Sequence, residues 1–123
     1  MKGMFVADDG CIRYAEAIAK GLKRIETRNR NTLANLLGEK VAIVRTRRGK
    51  NPTVVGYVHM FCVSREDRGW LDDHRMATLI PVGSKYDTAP KWCYWLDDAE
   101  ECEPYPLPAN AVRHGRSWCE FNA

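Results

Sequence analysis

Two β-branched runs joined by a basic turn constrain this chain more than anything else in it. Lys40-Val41-Ala42-Ile43-Val44-Arg45-Thr46 ends at Arg48-Gly49-Lys50-Asn51-Pro52, and Thr53-Val54-Val55-Gly56-Tyr57-Val58-His59-Met60-Phe61-Cys62-Val63 follows. Val, Ile, Thr and Tyr favour a pleated, half-buried surface, and Gly, Asn and Pro break it, so the pair reads as an antiparallel hairpin. Gly56, inside the second run, predicts a bulge or the close approach of another backbone or ligand.

The remaining elements are placed around that hairpin. Ile12, Ala15, Ile18, Ala19 and Leu22 recur at helical spacing, which predicts a helix over 11–20 with Asp9 as its N-cap and Gly21 as its stop. Arg24 to Arg28 alternates briefly, with Ile25 and Thr27 favouring extended structure. Thr32 to Leu37 reads as a loop or helical turn ending at Gly38. A short helix is expected over Trp70 to Leu79, then a break at Ile80-Pro81-Val82-Gly83. Lys91 to Leu96 is an aromatic strand, and acidic residues Asp97 to Glu103 follow it. Pro104, Pro106 and Pro108 hold an extended, non-helical connection to a last strand at Ser117 to Phe121. One early helix with about five or six strands predicts an α+β domain built on a partly closed barrel.

The 123 residues suit a single domain, 1–123, long enough to bury a core without metals or disulfides as staples. No run approaches the roughly 18 apolar residues of a membrane span, and the N-terminus lacks the apolar core of a signal peptide. A cytoplasmic protein with no membrane contact is therefore expected. Cys11, Cys62, Cys93, Cys102 and Cys119 are scattered and form no CxxC pair, which argues against a zinc ribbon or a thioredoxin-type motif. His59, His74 and His114 show no metal-ligand spacing, so neither a metal nor any other cofactor is expected.

Net charge is +3, but unevenly spread. Residues 1–50 carry 12 lysines and arginines against 5 acids, a net +7, whereas residues 51–123 carry 7 against 11, a net −4. Such asymmetry can form a basic face for phosphates, or the two halves can pair with each other. Within the basic half, Lys20-Gly21-Leu22-Lys23-Arg24-Ile25-Glu26-Thr27-Arg28 holds one carboxylate among Lys23, Arg24 and Arg28, just after a helix-stopping glycine. Glu26 and Arg28 fall on one face of a strand, as an ion pair or as a binding pair.

The segment "GLKRIETR" after a helix, "GEKVAIVRT" followed by "VVGYVHMFCV", and "KWCYWLDDAEECEPYPLP" before the last strand together resemble the ASCH (activating signal cointegrator homology) family of the PUA-like superfamily. The resemblance covers most of residues 12–121. It implies a small β-barrel with flanking helices and a cleft beside the helix-to-strand turn. It also implies an RNA or nucleotide-like ligand, since some members are ribonucleases and others remove an acyl group from modified cytidine. Lys23 matches the family lysine after the glycine, and Glu26 and Arg28 match its acid and base two residues apart. Deacylating members carry a threonine three residues after the lysine. Here Glu26 stands at that place with Thr27 one later, and a one-residue offset on a strand turns a side chain to the other face. The family's later catalytic glutamate has no match here, Glu66, Asp72 and Asp73 lying in the unassigned middle of the chain, which weakens the deacylating reading.

These readings converge on a basic cleft for RNA or a nucleotide. Lys23 contacts phosphate or a carbonyl, or serves as a base if desolvated. Glu26 accepts from a base edge or orients Lys23, and Arg28 clamps phosphate. Arg45, Arg47, Arg48 and Lys50 form a hairpin tip that is either a solvated surface or a steering patch for phosphate. Tyr94, with Trp92 and Trp95, is a stacking candidate or core. His114, between Arg113 and Gly115-Arg116, is a candidate for acid/base work on RNA. The alternatives are a hydrolase using Lys23 and Glu26 on RNA or on acylated cytidine, and a protein-interaction module using exposed aromatics.

Overall fold

The structure is a computed structural model that describes residues 1–122. Strand β1 (Lys2–Ala7) leads into helix α1 (Tyr14–Ala19), strand β2 (Ile25–Arg28), a 3-10 turn at Ala34–Leu36 and strands β3 (Lys40–Thr46) and β4 (Thr53–Glu66). Short helices α2 (Arg68–Asp73) and α3 (Arg75–Thr78) precede the long strand β5 (Lys91–Pro106), and β6 (Val112–His114) and β7 (Trp118–Glu120) close the chain. All seven strands form one sheet in the order β2-β5-β4-β3-β1-β7-β6. Only β1 and β3 pair in parallel; every other pairing is antiparallel. The fold is the expected α+β class. It has seven strands rather than five or six, and its edge strands β2 and β6 do not pair with each other, so the sheet does not close.

Strand β3 explains why its sequence is apolar throughout rather than alternating. Val41 and Ile43 enter the core beneath α1 with Met4, Ile18, Val58 and Met60. Ala42 and Val44 enter a second core on the opposite face with Phe5, Val54, Leu107 and Phe121. A strand buried on both faces has no polar side to show. Helix α1 buries Tyr14, Ala15, Ile18 and Ala19, one stripe of its surface. It begins at Tyr14 rather than residue 11, and Asp9 does not cap it. Asp9 instead exchanges backbone hydrogen bonds with Ile12 in a preceding tight turn.

Three elements went beyond the sequence expectations. β1, unmarked by any turn signal, depends on its long-range parallel partner β3. β5 continues ten residues past Leu96, because the acidic stretch pairs with β4 through registers such as Tyr57↔Glu100 and Gly56↔Glu101. β6 forms only as the partner of β7. Among the described residues, no helix is long and apolar enough to cross a membrane.

Gly56 sits at a register shift and at the point where α1 crosses the sheet. A Cβ there would lie 2.3 Å from the Glu100 carbonyl oxygen and 2.9 Å from the Ala19 Cβ. The obstruction is backbone, which cannot rotate away. Gly56→Ala is predicted to destabilise the protein by roughly 2–3 kcal/mol, read as a lowered midpoint in urea unfolding. A variant within about 0.5 kcal/mol of the parent would show that the sheet yields at this contact.

Candidate functional site

The site is built at the end of α1. Gly21, at φ +75, adopts the left-handed conformation that glycine takes at helix ends. This lets the N–H groups of Leu22 and Lys23 both return to the Ala17 carbonyl. The chain reverses within three residues and sends Lys23 inward. Lys23 is only 2% exposed. Its ammonium donates to the Thr78 carbonyl, lies 3.8 Å from Glu26 Oε1, and sits 5.0 Å from the centre of the Tyr14 ring.

The partner carbonyls come from the end of α3, where Leu79 takes a left-handed conformation. The Ala77 carbonyl accepts from the Arg24 N–H at 2.9 Å, Thr78 from Lys23, and Leu79 from the Tyr14 hydroxyl at 3.5 Å. Three consecutive carbonyls thus receive donors from the α1–β2 region. An ammonium has three protons to donate, and Lys23 has one hydrogen-bond partner among the described residues. Burial pushes its pKa down, and the nearby Glu26 charge opposes that shift.

Glu26 is itself buried on β2. Its Oε1 accepts from the Thr27 N–H at 3.0 Å and its Oε2 from Arg28 Nη2 at 3.3 Å. Arg28 Nη2 also donates to the Phe5 carbonyl of β1 at 2.6 Å. That bond anchors the guanidinium across the opening between β2 and β1. Its Nε and Nη1 have no protein partner among the described residues.

Lys23, Glu26 and Arg28 line a cavity of about 210 Å³. Phe5, Val6 and Ile80 supply apolar wall, Tyr14 and Tyr86 aromatic wall, and Arg116 a further cation. The two tyrosine rings meet edge to face, 6.0 Å apart. Burial pushes the Tyr14 hydroxyl up to about 12, so it stays protonated and a donor at neutral pH.

Tyr86 and Ile80 lie on a segment pinned by Asp87. Asp87 accepts from the Gly83 N–H at 2.7 Å, from Arg75 Nη1 at 2.9 Å and from Arg68. These bonds, led by the one from Gly83, hold its carboxyl well below the usual carboxylate range.

The basic hairpin divides. Arg47 and Arg48 line a second depression with Arg13 and Lys85, and this depression shares Ala7, Thr46 and Tyr86 with the cavity. Arg45 and Lys50 face a different hollow beside Tyr105. Much of the cluster is paired internally: Arg45 with Glu16 at 2.8 Å and Arg47 with Asp8 at 2.9 Å. Arg48 and Lys50 have no carboxylate partner among the described residues.

Tyr94 and His114, expected at the site, also lie away from the cavity. Tyr94 is fully buried, with its hydroxyl 2.9 Å from Asn31 Oδ1 and accepting from the Leu33 N–H. It is core and offers no ring face to a ligand. Tyr86 holds the aromatic position at the cavity instead. His114 stacks on Trp118 at 3.9 Å and lies 3.9 Å from Glu120; its loop neighbour Arg116, not His114, reaches the cavity. Trp92 packs under Arg65 and Trp95 against Trp70. Neither Glu66, Asp72 nor Asp73 lines the cavity. Cys93 is buried, with its thiol pushed up to about 12 by burial, and is inert.

No family model matches the chain, and no curated protein matches it. Solved structures do. The ASCH protein from Zymomonas mobilis superimposes with a TM-score of 0.72 at 19% identity, over 98% of this chain and 87% of that one. Its serine-to-alanine mutant gives 0.71 at 19% identity over 98% and 88%. Its tyrosine-to-phenylalanine mutant gives 0.65 at 21% over 87% and 77%. The chain has the ASCH-domain fold. In that ASCH frame, the cavity lies where the helix-to-strand turn of α1 and β2 meets the end of α3.

The buried lysine has a measurable signature. With its folded pKa below the unfolded value near 10.4, the unfolded state binds more protons between those two values, so stability rises with pH there. Relative to a Lys23→Met variant, the parent is predicted to gain stability across that window by up to about 1.4 kcal/mol per pH unit. Urea unfolding of both proteins from pH 7 to 10 reads the difference. A difference that falls with pH would mean that the ion pair with Glu26 outweighs burial.

Proposed function

We propose that the protein is a single-domain, cytoplasmic RNA- or nucleotide-binding ASCH-type protein. The observation that carries this reading is the under-partnered Lys23 ammonium at the cavity floor. Two of its protons lack a hydrogen-bond acceptor among the described residues, and Arg28 and Arg116 line the same cavity. A phosphate or carbonyl oxygen satisfies that arrangement better than an apolar ligand does. The volume suits a base or sugar rather than a helical stem, and the Tyr86 ring offers a stacking surface. Arg47, Arg48, Arg13 and Lys85 in the adjoining depression would take the phosphates that follow. Five free thiols are consistent with a reducing compartment.

Binding of a fluorescently labelled short single-stranded RNA tests this. Affinity should fall steeply with salt. The Lys23→Ala/Arg28→Ala double variant should lose at least about tenfold, roughly 1.4 kcal/mol. Arg48→Ala should lower the salt slope by about one. Undiminished binding by the double variant would remove the cavity from the interface.

A second reading, hydrolysis, is supported by the same lysine. An amine with a depressed pKa beside a carboxylate is suited to general-base work on RNA or on an acylated cytidine. Under it, purified protein converts one of these substrates, and Glu26→Gln reduces turnover by about 10²-fold or more. Equal traces of product from both proteins would leave binding as the function.

A further inference from the structure

The β4–β5 pairing brings together three metal-ligating side chains that lie far from one another in sequence and outside the cavity. His59 pairs with Asp97, and Tyr57 pairs with Glu100. Two steps on β4 therefore match three on β5, and β5 carries one extra residue. On a regular strand Asp97 and Asp98 would point to opposite faces; a bulge re-aims one of them. Asp98 takes φ +49 at this point. As a result, one donor atom from each of His59, Asp97 and Asp98 lies within 4.8 Å of the others. His59 Nδ1 and Asp97 Oδ1 are 2.8 Å apart.

Charge makes the arrangement pointed. Two adjacent carboxylates share this spot, and neither pairs with a lysine or arginine among the described residues. Lys40, opposite His59 in the β3–β4 pairing, is paired with Glu100 at 2.9 Å. The His59 imidazole reaches Asp97 at 2.8 Å, and an imidazole nitrogen beside two carboxylate oxygens is a mixed donor set. Such a set suits divalent first-row transition metals better than all-oxygen Ca²⁺ or Mg²⁺ sites do.

We propose that His59, Asp97 and Asp98 bind a divalent transition-metal cation, with water completing the coordination shell. The site stands apart from the cavity and from the nucleotide reading, since none of the three residues lines that cavity.

The test uses the whole chain after chelator treatment. Mn²⁺ is the first probe, because the free thiols, Cys11 exposed among them, would attract Zn²⁺ or other soft metals. Loss of the free Mn²⁺ electron-spin-resonance signal reads binding, and Co²⁺ calorimetry gives the stoichiometry. Two variants remove one ligand each. Asp98→Asn keeps a side chain that tolerates a left-handed backbone, and His59→Gln leaves the bulge untouched. The expected result is one saturable site per chain, weakened at least tenfold by either variant. Added metal should raise the thermal midpoint of the parent with the logarithm of metal concentration once that exceeds Kd, and shift both variants less at the same concentration. His59→Gln decides alone if Asp98→Asn does not fold. Absence of saturable binding up to millimolar metal, or binding that survives the substitutions, overturns the proposal.

Discussion

A lysine ammonium buried where three chain segments meet is the constraint around which this structure is arranged. Removing such a charge from water costs several kcal/mol unless partners replace the lost hydration. The fold supplies them from separate places. Gly21 reverses the chain after α1, β2 brings Glu26, and the left-handed Leu79 ends α3 so that the Thr78 carbonyl faces inward. The compensation is incomplete, with one hydrogen bond and a 3.8 Å ion pair. That shortfall sits at the floor of a cavity that also presents Arg28 and Arg116. A ligand oxygen would complete the shell, and the proposed binding role rests on that shortfall.

The remainder of the molecule holds that arrangement in place. β1 fixes Arg28 through the Phe5 carbonyl. Asp87 ties Arg68, Arg75 and the Gly83 amide together and so steadies the segment carrying Ile80 and Tyr86 over the cavity. The basic excess of the first half is partly consumed within that half, since Glu16 and Asp8 take Arg45 and Arg47. The cations left for a ligand are fewer than the formal +7 suggests. They lie at the cavity and at the depression joined to it through Tyr86, not across the whole hairpin.

Legibility in the sequence followed the range of the interactions. β3 and β4 were readable because their β-branched runs and the Gly49–Pro52 turn are local signals, and Gly56 marked a close approach that the Glu100 carbonyl confirms. Lys23, Glu26 and Arg28 were readable as a group because they lie within six residues. Asp97 to Glu103 carried no strand signal, since acidic residues are poor strand formers; pairing with β4 overrides that preference. Tyr94 had the composition of a stacking residue, but its hydroxyl is satisfied inside the core by Asn31. Thr78, Tyr86 and Arg116 reach the site only through tertiary folding, and a carbonyl acceptor such as that of Thr78 leaves no mark on residue type. His59 and the Asp97–Asp98 pair were invisible together for the same reason.

The most direct test of the central claim is a nuclear magnetic resonance titration of the isotope-labelled protein with nucleoside 5′-monophosphates. Amide and side-chain shifts at Lys23–Arg28, Thr46, Tyr86 and Arg116 should move together and saturate, with the Lys23 ammonium resonance among the largest changes. Saturating shifts confined to other surfaces, or no shift at Lys23 up to millimolar nucleotide and short RNA, would contradict the account.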